Sequence, residues 1–542
     1  MTGIKMYDYI IIGSGFGGSV SALRLSEKGY SVAVLERGKR YETKDFPRTN
    51  WNLRKSLWKP KLGLYGIWNL TLLRHVFVLH GTGVGGGSLN YCNQLLIPPD
   101  EVFEKPEWGP GDWKTRLAPF YDLARRMLGA NPSPQIGKAD RILAEIGKEI
   151  RGEDTLHIND VGVFFGEPDK TVPDPYFNGE GPERTGCTFC AACMIGCPVG
   201  GKNTLDKNYL YLAERKYAAE IFPETEATGV RPLDEGYEIT IEKSTGMVHR
   251  KGIFRAHGVV FSGGVMGSVK LLFECKTRGL LPKLSPQVGN FIRTNSEALI
   301  GVKARDKGAD YSDQISITSG IYPDKDTHIE IVRFNKGSDI IGFLATLLTD
   351  GGGRIPRQLR FLGNVLRHPW AFLKSLWPLG WGARTPILLV MQTLENHIRF
   401  EYRRRWWRFG VRSMNSSLVP GTKKVPSYIP VANEIARRMG KEMDGQPLSS
   451  WPEVLLDVPT TAHILGGAVM SDTPEQGVVD YSGQIHGYPN LYVVDGSNIP
   501  VNLGVNPSLT ITAVAEYIMS QIPPKSEGKG RAEPETRIGR EA

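Results

Sequence analysis

The amino-acid sequence predicts an α/β fold that begins with parallel strands around a buried turn. The first observation is Tyr9–Ile12, a short isoleucine-rich run bounded by glycine, which is typical of a strand buried on both faces. The second is a G-x-G-x-x-G motif directly after it, followed by a helix-length stretch and another apolar run. The third is an apolar run near the C-terminus, Leu491–Val494, that ends in Asp-Gly. Together they predict a Rossmann-type unit that the end of the chain completes.

The G-x-G-x-x-G motif consists of Gly13, Gly15 and Gly18. Without side chains, these residues let the backbone turn tightly and approach a pyrophosphate, which the N-terminus of the next helix stabilises. We expect the following strand at Ser31–Leu35. It ends at Glu36, where an acidic side chain accepts hydrogen bonds from an adenosine ribose. The pattern predicts a dinucleotide site for NAD, FAD or a related nucleotide, with a purely structural glycine turn as the alternative.

A second glycine-rich stretch runs from His80 to Gln94. Five of seven consecutive positions in it are glycine, namely Gly81, Gly83, Gly85, Gly86 and Gly87. Such a stretch cannot form a stable helix interior, and it suits a loop whose N–H groups face a ligand. Two separate glycine loops favour a large cofactor held along its length over a nicotinamide that exchanges. A helix that starts near Ser508 would reach the same site from the C-terminal end.

Composition places the chain among ordinary multi-domain proteins. Its 542 residues, of which 40% are hydrophobic, are enough for two or more domains with substantial cores. No uncharged apolar run reaches about 18 residues, so we expect no membrane-spanning helix. The first strand starts close to Met1, which argues against a signal peptide and predicts a cytoplasmic protein, with attachment to the inner face of the membrane as a second option. The net charge of +9 is spread out, and no motif indicates nucleic-acid binding.

Three groups of motifs occur in the order in which one enzyme family has them. They are the first glycine unit, GTGVGGGSLN at residues 81–90, and the C-terminal series HILGGAV, NLYVVDGSNIP and GVNPSLTITAVAE. From Tyr7 to about Ile522 the chain resembles the glucose–methanol–choline (GMC) oxidoreductases, and the nearest subgroup is the cholesterol-oxidase-like bacterial flavoproteins. The resemblance implies non-covalently bound FAD, a discontinuous Rossmann-type FAD-binding domain and an inserted substrate domain built on an antiparallel sheet.

The resemblance also implies where the domains lie. The FAD-binding domain would comprise residues 1–100, 200–294 and 456–522. The substrate domain would comprise residues 101–199, with a cysteine-rich loop at 187–198, and residues 295–455. Residues 523–542 are charged and poor in apolar side chains, and we expect them to be disordered.

Carried over position by position, the resemblance assigns a set of residues to FAD. The ADP half would lie against Gly13, Gly15, Gly18 and Glu36. The flavin and the pyrophosphate would pass close to Gly85, Gly86, Gly87, Ser88 and Asn90. The ribityl–phosphate portion would contact Asp495 and Gly496. These residues come from both ends of the sequence, so the chain would have to close around the cofactor.

The resemblance assigns the reaction to His463, in an H-x-L-G-G motif, and Asn506, in a G-V-N-P motif. A neutral imidazole can accept an alcohol proton, and an asparagine adds a fixed dipole against the oxygen while hydride moves to the flavin. The alternative for His463 alone is a core histidine with satisfied hydrogen bonds. Glu330, on a predicted strand, is the candidate for a base that shifts a steroid double bond. A solvated or ion-paired glutamate is the alternative.

A cysteine run in the middle of the chain has the spacing C-x2-C-x2-C-x3-C-P, which is that of bacterial ferredoxin loops. The four residues are Cys187, Cys190, Cys193 and Cys197. This spacing predicts a 4Fe–4S or 3Fe–4S cluster, with reduced structural thiols and a zinc site as alternatives. A cluster would pass electrons to a quinone or a carrier protein, whereas an oxidase passes them directly to O2.

Residues 357–381 combine leucines, phenylalanines and three tryptophans with interspersed cations. This composition is typical of an amphipathic segment that lies at a lipid interface, with its apolar side down. Pro369 and Pro378 would break it into shorter helices. The alternative is a lid over an apolar substrate cavity, and the two interpretations are compatible.

The sequence and the resemblance together predict FAD-dependent oxidation of a bulky, lipophilic secondary alcohol, such as a 3β-hydroxysteroid, to the ketone. Isomerisation of the double bond is an optional second step. One alternative is an FAD and iron–sulfur dehydrogenase for a terpenoid, long-chain or sugar alcohol. Another is a flavoprotein electron carrier that has no alcohol chemistry of its own.

Overall fold

A computed structural model of the chain describes residues 5–404 and 410–526. We expect disorder for residues 523–542, of which 527–542 lie outside these residues. The helices are α1 (Phe16–Glu27), α2 (Leu53–Ser56), α3 (Asp100–Phe103), α4 (Trp113–Met127), α5 (Lys138–Arg151), α6 (Tyr209–Arg215), α7 (Gly264–Thr277), α8 (Arg357–Arg367), α9 (Pro369–Ser375), α10 (Trp381–Arg384), α11 (Pro430–Glu442), α12 (Trp451–Leu455) and α13 (Ser508–Ser520).

The strands fall into two large sheets and several small ones. In chain order they are β1 (Met6–Ile12), β2 (Val32–Leu35), β3 (Trp58–Lys59), β4 (Leu64–Tyr65), β5 (Trp68–Leu72), β6 (Phe77–Gly81), β7 (Asn131–Pro132), β8 (His157–Ile158), β9 (Asp160–Val161), β10 (Thr171–Val172), β11 (Arg184–Thr185), β12 (Glu220–Phe222), β13 (Thr225–Pro232), β14 (Tyr237–Lys243), β15 (Lys251–Phe261), β16 (Ala298–Ala304), β17 (Ser319–Ile321), β18 (Thr327–Val332), β19 (Ala345–Leu347), β20 (Ile387–Gln392), β21 (Ile398–Arg404), β22 (Arg412–Leu418), β23 (Gly445–Ser450), β24 (Thr460–Thr461) and β25 (Leu491–Val493).

The first large sheet has the strand order β12–β2–β1–β15–β14–β13. β12, β2, β1 and β15 run parallel, whereas β13, β14 and β15 form an antiparallel meander. β15 is long enough to take part in both, because residues 251–256 pair with β14 and residues 259–261 pair in parallel with β25. The predicted α/β class and Rossmann-type arrangement are confirmed.

The two ends of the chain meet at this sheet. Helix α1 packs against α6 and α13. A Cβ atom on Gly17 would lie 1.7 Å from the carbonyl oxygen of Val494, so only glycine lets α1 lie this close to the end of β25. The helix that follows β1 therefore packs against the last helix of the described chain.

The second large sheet has the order β19–β23–β16–β20–β18–β17–β8 and is antiparallel throughout. The alternation along β18 gives the sheet two different faces. Ile329 and Ile331 pack into a core with residues of α5 and α11, whereas Val332 belongs to a separate apolar cluster on the opposite face. The antiparallel sheet expected for the inserted part is confirmed, whereas the exact domain boundaries stay a prediction.

A cavity lies at the carboxyl ends of the parallel strands of the first sheet, and residues of the second sheet line it too. The residues that follow these strands and line it are Gly13, Glu36, Ser262 and Asp495. Ligands of open α/β sheets bind at this edge. Across the two described stretches of chain, helices with both the length and the apolar character needed to traverse a bilayer are absent.

Candidate active site

The cavity between the two sheets has a volume of about 570 Å³ and connects the predicted cofactor residues with the predicted catalytic ones. Gly13, Gly15 and Glu36 line one part of it, and His463 and Asn506 line another. The sequence therefore brings residues that are more than 400 positions apart to one continuous space. This arrangement suits a long cofactor whose reactive end meets the substrate.

The two glycine loops touch each other at the cofactor end of the cavity. Gly86 has a φ of +53°, and a Cβ atom on it would lie 2.6 Å from the Cα atom of Gly15. Gly15 itself faces open space, because no heavy atom lies within 4 Å of the position its Cβ would take. The backbone thus forms a cradle at the start of α1, where N–H groups and the helix dipole favour a pyrophosphate. The residues present fit the diphosphate of FAD.

Glu36 is buried at the end of β2, and its carboxylate is held by the first glycine turn. Oε2 accepts hydrogen bonds from the Ser14 backbone N–H (3.1 Å) and hydroxyl (2.7 Å), and Oε1 accepts one from the Gly38 N–H (2.8 Å). Sequence reasoning missed Ser14, although it lies between two of the motif's glycines. These bonds fix the carboxylate at the place where a ribose would lie.

The other residues assigned to the cofactor fall into two groups. Those that line the cavity are Gly86, Gly87, Asn90, Asp495 and Gly496. Those that do not line it are Gly18, Gly85 and Ser88. Burial raises the pKa of Asp495, whose carboxylate accepts hydrogen bonds from the Ser268 hydroxyl (2.6 Å) and the Ser497 N–H (2.8 Å). Its part in holding the cofactor stays a prediction.

His463 is paired with Glu297, a residue that no sequence motif indicated. The Nδ1 atom of His463 donates to Oε1 of Glu297, and Oε2 of the same carboxylate accepts from the Ala462 N–H at 2.8 Å. Burial lowers the pKa of His463, but the charge and hydrogen bond of Glu297 outweigh it, so that the pKa is raised. The pair fixes the proton on Nδ1 and leaves Nε2 as the remaining basic nitrogen.

Glu330 lies on β18 near His463 and Asn506 and is fully buried. Its Oε1 accepts a hydrogen bond from the Asn159 side-chain amide at 2.7 Å. Burial raises the pKa of Glu330 to about 7, although hydrogen bonds from Asn506 and Asn159 and the nearby His463 oppose this shift. The solvated glutamate considered for this position is therefore excluded by its burial. A carboxyl group with a pKa near neutrality can both accept and return a proton.

The remaining wall of the cavity is apolar. It is formed largely by the second sheet and the cysteine-rich loop, through Met194, Leu299, Val332, Phe334, Ile387 and Leu389. Apolar walls around a few convergent polar groups are typical of a site for a lipophilic ligand. Sequence reasoning could not list these residues, because they are spread over four segments of the chain.

The four cysteines of the ferredoxin-like run do not share one environment. Cys187 and Cys193 are buried, Cys197 is half-buried and Cys190 is exposed. Within residues 5–404 and 410–526, no group of three or more histidine, cysteine, aspartate or glutamate side chains is placed to hold a metal ion. As placed, the thiols fit neither the iron–sulfur cluster nor the zinc site that the spacing suggested. The iron–sulfur cluster therefore stays a prediction without support from the geometry.

Comparisons with known proteins agree with this site. A family described as GMC oxidoreductase matches residues 419–515, and an NAD(P)-binding Rossmann-like domain matches residues 11–41. A cholesterol oxidase of Acinetobacter baumannii is 44% identical over 532 residues, which cover 96% of this chain and 95% of that protein. A cholesterol oxidase of Mycobacterium tuberculosis (strain CDC 1551 / Oshkosh) is 46% identical over 535 residues, covering 96% and 92%. The chain belongs to the GMC oxidoreductase family.

The solved structures give the same fold for this GMC oxidoreductase. Pyridoxine 4-oxidase from Mesorbium loti superimposes with a TM-score of 0.63 at 15% identity, covering 95% of this chain and 98% of the other. Membership of the family makes the protein an FAD-dependent enzyme that oxidises CH–OH donors. The predicted family, fold class and enzyme class are thereby confirmed.

Proposed function

We propose that this GMC oxidoreductase oxidises a bulky, lipophilic secondary alcohol of the 3β-hydroxysteroid class to the ketone and passes the electrons to O2. The observation that carries the proposal is that His463 and Asn506 line the same cavity as the first glycine turn and the apolar wall. The two bacterial relatives described as cholesterol oxidases support the choice of substrate and acceptor.

The residues of the chain prepare the alcohol for oxidation. Bound FAD supplies the hydride acceptor. Nε2 of His463 accepts the hydroxyl proton, and the Glu297 carboxylate stabilises the imidazolium that results. The side-chain dipole of Asn506 polarises the alcohol oxygen as charge develops on it. The apolar wall excludes water, so these polar groups act at a low local dielectric constant.

Replacing Glu297 with glutamine is expected to slow flavin reduction by about 10- to 100-fold. Losses of this size are typical when a metal-ligating histidine in another protein loses the carboxylate that orients its ring. Because Glu297 raises the pKa of His463, its loss lowers that pKa. The acid limb of the reduction rate, where His463 becomes protonated, will therefore shift to lower pH. The measurement is the anaerobic reduction rate as a function of pH.

A matched control is Glu453→Gln. Glu453 is also buried and accepts the Leu299 N–H at 3.1 Å, and burial raises its pKa to about 8, so glutamine resembles its neutral form. This variant should keep the parent's acid limb. If the acid limb of the flavin reduction rate lies at the same pH in Glu297→Gln as in the parent, the glutamate does not act through His463.

Some substrates, such as 3β-hydroxy-5-ene sterols, have a double bond that one ring carbon separates from the hydroxyl-bearing carbon. For these substrates we propose that Glu330 moves the proton that shifts the double bond. The Glu330→Gln variant is expected to isomerise the ketone about 10²- to 10⁴-fold more slowly, while flavin reduction changes little. In the parent, the isomerisation rate will decrease as the pH is lowered through about 7. Burial raises the pKa of Glu330 to about 7, and the base must be ionised to act. Product spectra with a 3β-hydroxy-5-ene sterol measure both steps. Equal isomerisation by parent and variant contradicts the role.

The substrate class is tested by anaerobic flavin reduction with a panel of sterols, terpenols, long-chain alkanols and sugars. Sterols should reduce the flavin fastest, and O2 should then reoxidise it without an added carrier. Reduction by sugars alone would overturn the lipophilic assignment. Reoxidation only by a quinone or a carrier protein would overturn the choice of O2 and favour the dehydrogenase alternative.

A further inference from the structure

An uncovered apolar face lies on α8, α9 and the turn that follows them. Eight of the 23 large apolar side chains exposed among the described residues fall within residues 355–379. Six of them recur at intervals of three or four residues along α8, α9 and the turn after α9, and we call them the interfacial face: Leu359, Leu362, Leu366, Trp370, Leu373 and Trp377. Leu366 and Trp370 are 74% and 75% exposed. Contiguous exposed apolar side chains of this kind mark an interaction site.

The helices that carry the interfacial face are firmly packed on their other side. The rings of Phe361 and Phe372 lie 6.0 Å apart, and each contacts the ring of Trp451, at 5.7 and 6.1 Å. The buried Arg357 donates to the carbonyl oxygens of Thr349 (3.0 Å) and Ser427 (2.7 Å). The body of the protein thus holds the two helices in place and turns their leucines and tryptophans outward.

The charged side chains that this segment itself carries are all cationic. Residues 351–394 contain no aspartate or glutamate. Arg354, Arg367 and Lys374 are exposed beside the apolar stripe. Cations around leucine and tryptophan suit an anionic lipid surface, where headgroups meet the charges and the stripe enters the acyl boundary. A second copy of this face would bring the same cations together, so self-association is the weaker explanation.

The interfacial face continues to the mouth of the cavity. The Asp339 carboxylate accepts hydrogen bonds from the N–H groups of Gly380 (2.9 Å) and Gly382 (2.8 Å), which ties the end of the segment to the turn at Ile340–Leu344. In that turn Phe343 is 53% exposed and also lines the cavity. Its ring meets that of Trp51 edge to face, with centroids 6.1 Å apart.

We propose that the interfacial face docks the protein on an anionic bilayer, so that the alcohol enters the cavity at Phe343 directly from lipid. Docking follows from the exposed face and its cations. Entry of the alcohol from lipid rests in addition on the proposed function. Of the two interpretations given for residues 357–381, the proposal takes up the lipid interface, because none of these residues lines the cavity and Leu366 and Trp370 are exposed.

The test is flotation of the full-length, FAD-loaded protein with vesicles of phosphatidylcholine containing about 30% phosphatidylglycerol. The variant is Leu366→Glu/Trp370→Glu, and the matched control is Met247→Glu/Val248→Glu, at side chains that are 99% and 70% exposed between β14 and β15. The parent and the control should float, and the variant should bind at least about 10-fold more weakly. Flavin content and melting temperature should be equal in all three.

The same three proteins are then given a sterol in vesicles or in cyclodextrin. The variant should be slower only with vesicles. Undiminished flotation of the variant overturns the proposal, as does a parent that stays unbound. A parent that is dimeric and becomes monomeric in the variant, without vesicle binding, identifies the face as a subunit interface and also overturns it. Flotation needs no turnover, so a failure of the proposed function leaves the docking result readable.

Discussion

Replacing His463 with glutamine is expected to slow anaerobic reduction of the bound flavin by a sterol by about 10²- to 10⁴-fold. The imidazole is the group in the cavity that is paired through Nδ1 with a buried carboxylate, which leaves Nε2 to take the hydroxyl proton. Glutamine keeps a polar side chain of similar reach but cannot accept a proton near neutral pH. Stopped-flow measurement of flavin bleaching gives the rate directly.

A suitable control is His257→Gln, because His257 is exposed on β15 and does not line the cavity. This variant should reduce its flavin at the parent's rate. If His463→Gln also does so, the alcohol mechanism fails, and the electron-carrier alternative becomes the better account of the flavin.

Replacing Gly15 with valine is expected to yield a folded protein that has lost nearly all of its FAD. The backbone at Gly15 is extended, with φ −72° and ψ −164°, which valine adopts readily. No heavy atom lies within 4 Å of the added Cβ, so the protein itself does not oppose the substitution. The new side chain instead fills the cradle at the start of α1 where the pyrophosphate would lie. Flavin absorbance per mole of purified protein is the measurement.

Gly363→Val is the matched control, since a Cβ at Gly363 in α8 also meets nothing within 4 Å. It should retain its flavin and its alcohol activity. Circular dichroism should show the same fold for both variants. A Gly15→Val protein with a full complement of FAD would show that the first glycine turn does not hold the diphosphate.

The features that could be predicted from the sequence are those fixed by neighbours in the chain. The first glycine turn, β2 ending before Glu36 and the helix from Ser508 each depend on about ten consecutive residues. His463 and Asn506 could be predicted as candidates because the resemblance to the family rests partly on the short motifs that contain them. Both residues line the same cavity, whereas their roles stay a prediction until tested.

Features that depend on distant pairing escaped the sequence. Glu297 is 166 positions from His463 and lies in no motif, so nothing local indicates its role. Asn159 reaches Glu330 from 171 positions away. For the cysteine run, the sequence suggested a site that the geometry does not support. Spacing alone cannot say which thiols face one another. The fold leaves Cys190 exposed and buries Cys193.

The pairing of β25 with β15 also sets a time order for the enzyme's assembly. β25 and α13 are among the last parts of the described chain to be synthesised, yet α1, made first, packs against both the end of β25 and α13. A chain still emerging from the ribosome therefore has the glycine turn but lacks Asp495, His463 and Asn506. The site is therefore complete only after α13 has been synthesised. We expect a chain truncated before β25 to be purified without FAD.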